Sequence, residues 1–366
     1  MGETYFILRE YACLGCCLAG GPCRRPRAHE ALVPLFYSLP NTFLVERIVI
    51  MEPHKKAEQT LEGSPHLEVN GLFPSSEDVI FPDSSFFQRP YAPTSLPSAA
   101  EVREVANQSA DPHARNVNRP PPVRFPSMHL LVKYGREVTI AEAQCLLFIR
   151  RTLSQTVPVP EVFGWCKDDN QTFIYMELVD GITLETSWET MVEDDRLAIC
   201  QQLRHMADAW RSLKNVYASP FLGHVGKQPL LDIIFTDTCS PTAGPFSSVS
   251  EFHDWFTSTY GPDRYVDVKD IPTHPYHSFL SDDFPIVSTH GDLHSSNIMV
   301  SLGPNPRVVA IVDWHQSGWY PSYWEYCKAR WTSRIGKEWE TNYLPLFLDR
   351  YDCYDYWDYF VLARGA

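Results

Sequence analysis

Four side chains in one short stretch have the types and the spacing for phosphate chemistry. From Ser288 to Tyr326 the chain reads STHGDLHSSNIMVSLGPNPRVVAIVDWHQSGWYPSYWEY, which contains His290-Gly-Asp292-Leu-x-x-x-Asn297 and, further on, Asp313. The apolar run 298–301, a Gly-Pro-Asn-Pro turn and the run 307–313 predict a hairpin whose ends bring Asn297 and Asp313 side by side. Phosphoryl transfer requires such a grouping: one carboxylate to orient an acceptor hydroxyl, then an amide and a second carboxylate to hold Mg²⁺ on the phosphates. Of the 13 histidines only His290 has aspartate two residues later, so the pattern does not come from many trials. Each piece alone also has a purely structural reading, since an aspartate after glycine often makes a turn and Asn297 could cap a strand. Asp313 is harder to explain that way, because a carboxylate ending a buried strand needs a partner or a cation.

Such a site depends on upstream elements that grip the phosphates. Met128 to Tyr134 (MHLLVKY) reads as a strand carrying Lys133, and Thr139 to Leu153 reads as a helix. The helix opens with Thr139-x-x-Glu142, a capping-box pattern, so Glu142 could serve only the helix start. Lys133 could likewise snorkel to solvent. A second strand covers Phe173 to Leu178, ended by Asp180-Gly181, and Asp194 to Lys214 has the three-to-four spacing of a long amphipathic helix. A small strand-rich part followed by a larger helical part predicts an α+β fold of two lobes with a cleft between them.

On these residues, the stretch resembles the catalytic core of the aminoglycoside phosphotransferase/choline kinase family, relatives of protein kinases that act mainly on small molecules. The likeness runs from about Leu96 to the C-terminus. It implies a bilobal protein kinase-like fold, with residues 94–179 as the N-lobe and hinge and 180–366 as the C-lobe. It implies Asp292 as catalytic base, His290 as the brace of the catalytic loop, and Asn297 and Asp313 as Mg²⁺ ligands. Lys133 and Glu142 match the strand-lysine and helix-glutamate pair that positions the α- and β-phosphates. Met176, Glu177 and Leu178 fall where the family's hinge presents backbone groups to adenine. ATP, or another nucleoside triphosphate, with Mg²⁺ and a small-molecule hydroxyl acceptor are the implied ligands.

Three departures bear on activity. No glycine occurs between Gly71 and Gly135, so the glycine-rich phosphate loop of protein kinases is absent. Asp313 is followed by Trp314 rather than Phe-Gly, and His315 stands where many relatives have an acidic residue. These departures keep open a second reading, a pseudokinase that binds or regulates without turnover. A third reading is a metallohydrolase, in which His290-x-Asp292-x-His294 supplies metal ligands with His274 and His277.

Composition narrows the partners. Among 366 residues, 31 Lys and Arg against 45 Asp and Glu give a net charge of −14, which argues against a general nucleic-acid or anionic-membrane binder. About half of the 30 prolines fall in the first third of the chain, and residues 1–93 read as an extension with little fold of its own. Four of the ten cysteines crowd together as Cys13, Cys16, Cys17 and Cys23; a zinc site is one reading and a reduced, disordered leader the other. Met1 to Glu10 lacks the apolar segment of a secretory signal. Prolines and charges interrupt 31–51 short of the about 18 apolar residues a span needs, so a soluble, cytoplasmic protein is expected. The tail DRYDCYDYWDYF (349–360) alternates acids with aromatics. It reads either as a cage for an ammonium group, making the acceptor cationic, or as a packed aromatic helix with solvated carboxylates.

Overall fold

The computed structural model describes residues 73–91, 93–215, 217, 219–236, 242–258, 273–333 and 338–365. The cysteine cluster at 13–23, with the rest of 1–72, lies outside the described residues.

The first lobe is an antiparallel sheet of β1 (Val79–Ile80), β2 (Val123–Phe125), β3 (Leu130–Gly135), β4 (Val162–Asp168) and β5 (Gln171–Glu177), in the order β1-β4-β5-β3-β2. Alternation of side chains gives it two apolar faces. Leu130, Val132, Tyr134, Phe173 and Tyr175 pack on the outer face, under Val102 and Ala106 of α1 (Ala99–Asn107) and under Phe86. Ile174, Met176 and Trp165 face inward, toward α2 (Ile140–Leu153). Lys133 is out of phase with Val132 and Tyr134, so period two alone delivers it to the inner face. Every residue of α2 from Ala141 to Ile149 is buried, as befits a helix covered on all sides.

Residues 73–91, read from the sequence as part of an extension, belong to this lobe. β1 pairs with β4, Phe86 packs its ring 5.2 Å from that of Phe163, and Trp165 Nε1 donates to Ser76 O at 2.8 Å. A two-residue strand and a four-residue helical turn are too short to leave a periodic trace, which is why the prolines dominated the reading.

The second lobe is mainly helical. It contains β6 (Ile182–Thr183), α3 (Glu193–Arg211), α4 (Val249–Thr257), β7 (Ile286–Thr289), β8 (Ile298–Val300), β9 (Val308–Ile311), β10 (Gly318–Pro321), α5 (Trp324–Thr332) and α6 (Tyr354–Arg364). The expected hairpin is present: β8 and β9 pair antiparallel with Ile298 opposite Ile311, and β6 extends them to three strands. β7 pairs with β10 through Thr289 and Gly318, which pins both ends of the segment that carries the motif.

The aromatic residues after Asp313 are core. Trp314, Trp324, Trp357, Tyr320 and Tyr323 are fully buried. In the tail, Arg330 lies 3.9 Å over the Tyr354 ring and pairs with Glu340, while Asp349 pairs with Arg204 at 2.7 Å. No helix among the described residues is long and apolar enough to cross a membrane.

Candidate active site

Lys133, Glu142 and Asp313, which are far apart in sequence, meet in the cleft. Lys133 Nζ lies 2.8 Å from Glu142 Oε2 and 2.6 Å from Asp313 Oδ1. Glu142 does not form the capping box its spacing suggested: Thr139 makes no side-chain cap hydrogen bond, and its Oγ1 is buried without a partner. A buried ammonium outcompetes a backbone amide for the carboxylate, because a charge-assisted contact is worth about twice a neutral one. Burial opposes the charge on Lys133, but the two carboxylates more than offset it and raise its pKa. Burial pushes Glu142 upward, against the pull of Lys133. Asp313 is held well below the usual carboxylate range: burial works against this, but Lys133 and Arg119 outweigh it.

The His290–Asn297 loop is held from several sides. Gly291 has φ +79°, and a Cβ there would come within 2.5 Å of Gln316 O, so glycine is required by both conformation and space. His290 Nε2 lies 3.0 Å from Val312 O, and its Nδ1 accepts the Asp292 amide at 3.1 Å. A carbonyl can only accept and an amide only donate, so the ring is neutral with its proton on Nε2; burial lowers its pKa in the same sense. Asn297 Nδ2 donates to Asp292 O at 2.8 Å and to Asp292 Oδ2 at 3.1 Å. Val312 N–H donates to Asn297 O at 2.9 Å, which seats Asn297 beside the start of the Asp313 turn. Asp313 itself is left-handed (φ 62°, ψ 59°), a conformation aspartate tolerates better than most residues. Burial raises the Asp292 carboxyl above the ordinary aspartate range, and Lys328 draws it partly back.

Asn297 and Asp313 suit a hard cation. The Asn297 amide spends its N–H on Asp292, so its side-chain oxygen is left to accept. Asp313 is 36% exposed and faces the cleft. Two oxygen ligands with room for phosphate and water are the usual protein share of a Mg²⁺ site. The metallohydrolase grouping is not assembled: both His290 ring nitrogens are engaged, and no cluster of three or more His, Cys, Asp or Glu among the described residues is placed to hold a metal. His274 instead packs on Tyr359 and Phe360, and His277 pairs with Asp254.

Of the residues expected to present backbone groups to adenine, Met176 is buried in the core and Leu178 gives its amide to His129 O at 3.0 Å. Glu177 turns its side chain to the Glu161 amide at 3.1 Å. His315 is buried, and burial together with Arg119 and Lys133 lowers its pKa to about 2, so it is neutral beside Asp313.

Several residues here escaped the sequence reading. Glu325, fully buried on α5, accepts the backbone amides of His290 at 2.6 Å and Gly291 at 3.1 Å. Lys328, one turn on, pairs with Asp232 at 2.8 Å, both fully buried, and also reaches Gln316 Oε1 at 3.1 Å. Trp324 Nε1 closes this network on Asp232 at 2.9 Å. Two opposite charges three residues apart suggest a solvated helix pair; their setting among Trp324, Tyr326, Cys327 and Ala329 was the available sign of burial.

The profile of the phosphotransferase enzyme family (APH) matches residues 134–361, which include Glu142, His290, Asp292, Asn297 and Asp313 and begin one residue after Lys133. No curated protein matches the chain. Among solved structures, aminoglycoside phosphotransferase APH(4)-Ia is 14% identical over 64% of this chain and 76% of that one, with a TM-score of 0.40. A thermostable mutant of it, in ternary complex with AMP-PNP and hygromycin B, is 16% identical over 54% of this chain and 63% of that one, just under two thirds of its length, with a TM-score of 0.36. The streptomycin-ATP-APH(2")-IIa ternary complex is 12% identical over 73% of this chain and 87% of that one, with a TM-score of 0.39. With well over half its length matched by the family profile, the chain belongs to the phosphotransferase enzyme family.

Proposed function

We propose that this protein transfers the γ-phosphoryl group of ATP to a hydroxyl of a small molecule, with Mg²⁺. The observation that carries the reading is the meeting of Lys133, Glu142 and Asp313 in one cleft with the Asp292–Asn297 pair. Glu142 keeps Lys133 extended along the cleft, where its ammonium can neutralise phosphate oxygens. Asn297 and Asp313 would hold Mg²⁺, which when bound neutralises charge on the phosphates. Asp292 orients the acceptor hydroxyl and takes its proton as the oxygen attacks the γ-phosphorus and the bond to the β-phosphate oxygen breaks, releasing ADP. Its raised pKa favours taking that proton. The overall charge of −14 is no obstacle to an anionic substrate, because Lys133 and bound Mg²⁺ would supply positive charge at the site itself.

One observation favours the pseudokinase alternative. Lys133 engages Asp313 at 2.6 Å, so the carboxylate proposed for the metal is held on the protein's own lysine. On the proposed reading this bridge opens when nucleotide and metal enter together. Thermal unfolding with AMP-PNP, with and without Mg²⁺, tests it. Wild type should be stabilised only by the pair, and Asp313→Asn, which tolerates the same backbone, should lose the Mg²⁺ effect. No stabilisation of wild type under either condition would refute the reading.

A further inference from the structure

We propose that Arg119 is a ligand for the nucleotide phosphates, a side-chain cation standing in for the absent glycine-rich loop. The inference rests on the ATP reading above and extends it to a residue outside the matched family profile.

The backbone around Arg119 is fixed to the end of the strand that carries Lys133. Arg136 N–H donates to Val117 O at 3.1 Å, Glu137 N–H to Asn118 O at 3.0 Å, and Gln171 Nε2 to Val117 O at 3.1 Å. Asn116 Oδ1 accepts the amide of Asn118 at 2.9 Å. Pro120, Pro121 and Pro122 follow, each with restricted φ, and Pro120 is buried. The close approach depends on Gly135, whose φ is +142°: a Cβ there would stand 2.1 Å from Asn118 O and 3.0 Å from Pro120 Cδ. The segment therefore enters β2 from a set position, with β2 lying beside β3.

The side chain is a cation without an anion. Arg119 Nε is buried with no hydrogen-bond partner, and no carboxylate among the described residues forms an ion pair with it. Its charge bears on Lys133, Glu142, Asp313 and His315, in keeping with a segment packed against Gly135 at the end of the strand that carries Lys133. With both carboxylates taken by Lys133, the Arg119 guanidinium has no carboxylate of its own, and a planar guanidinium matches phosphate oxygens bidentately. With no glycine between Gly71 and Gly135, backbone amides have less access to that role.

Calorimetric titration with Mg²⁺·AMP-PNP and with adenosine tests this, using wild type, Arg119→Ala, Arg119→Gln and Lys133→Met. Loss of one charge-assisted contact should weaken AMP-PNP about 10- to 100-fold in both Arg119 variants and leave adenosine unchanged. Arg119→Gln retains much of the stem, so it separates loss of charge from loss of packing. AMP-PNP binding within twofold of wild type in the Arg119 variants, while Lys133→Met weakens it, would overturn the role of Arg119 alone. Equal losses for adenosine and AMP-PNP in both Arg119 variants would overturn it too, by making the residue structural. Wild-type protein that binds no AMP-PNP would overturn the ATP reading as well.

Discussion

Glu325 offers a sharp test of how the catalytic loop is held. Its carboxylate, fully buried, accepts two consecutive amides, from His290 and Gly291. Glu325→Gln keeps the volume and one acceptor oxygen but turns an NH₂ toward the other amide, leaving at least one buried N–H unsatisfied. That omission costs about 1–3 kcal/mol. At roughly 2–4 °C per kcal/mol for a body of this size, the Tm should fall by about 2–12 °C. The rate should suffer more than stability. The same two residues set His290 and, through it, the Asp292 amide, and a displacement of about 1 Å at a reacting group can cost on the order of 10²-fold. The expected kcat loss is therefore about 10- to 100-fold. KM for ATP should change little, because Lys133 and Glu142 are carried by β3 and α2. Scanning calorimetry and initial rates over ATP concentration measure both effects. A Glu325→Gln protein with wild-type Tm and kcat would show that the loop is held by something else.

Asp292→Asn should lower turnover by about 10²–10⁴-fold while raising the Tm at neutral pH. Burial lifts the folded-state pKa of Asp292 above its unfolded value, so the ionised carboxylate works against folding. The gain should shrink as pH falls through the raised folded pKa and be gone below the unfolded pKa, which calorimetry at two pH values checks. Lys133→Met leaves Glu142 buried without its cation and should cost about 3–5 kcal/mol in urea unfolding at neutral pH. With Glu142 already shifted upward, that penalty should diminish in acid as the carboxyl takes a proton. Gly135→Ala puts a Cβ into Asn118 O at a φ that disfavours it. It should lower the urea midpoint at unchanged m, by at least about 1–3 kcal/mol, and weaken AMP-PNP by shifting the segment that bears Arg119.

The parts of the site legible in the sequence were those close together in it. His290, Asp292, Asn297 and Asp313 lie within one loop and one hairpin, so turn chemistry and alternation sufficed to place them. Lys133 was legible through the resemblance to the strand-lysine and helix-glutamate pair, since a lone lysine in an apolar strand could equally snorkel to solvent. Glu325 and Asp232 were not: their targets lie 34 residues and more away, and periodicity does not say which carboxylate turns to which partner. The two capping-box patterns show the same limit. Thr139-x-x-Glu142 has the spacing of a cap and forms none, because Lys133 takes the glutamate. Ser98-x-x-Glu101 went unremarked in a proline-rich region, yet it forms both capping hydrogen bonds and starts α1. Local rules hold until a longer-range partner offers the same side chain more.

The central claim is phosphoryl transfer to a small-molecule hydroxyl, and product detection tests it most directly. Wild type and Asp292→Asn would be incubated with [γ-³²P]ATP, Mg²⁺ and a panel of aminoglycosides, choline and neutral polyols, and labelled small molecules separated from ATP and phosphate. The account predicts label on at least one hydroxyl compound with wild type, at least 10²-fold above Asp292→Asn. Equal labelling by the two proteins, or no labelled product from a wild type that binds Mg²⁺·AMP-PNP, would contradict it.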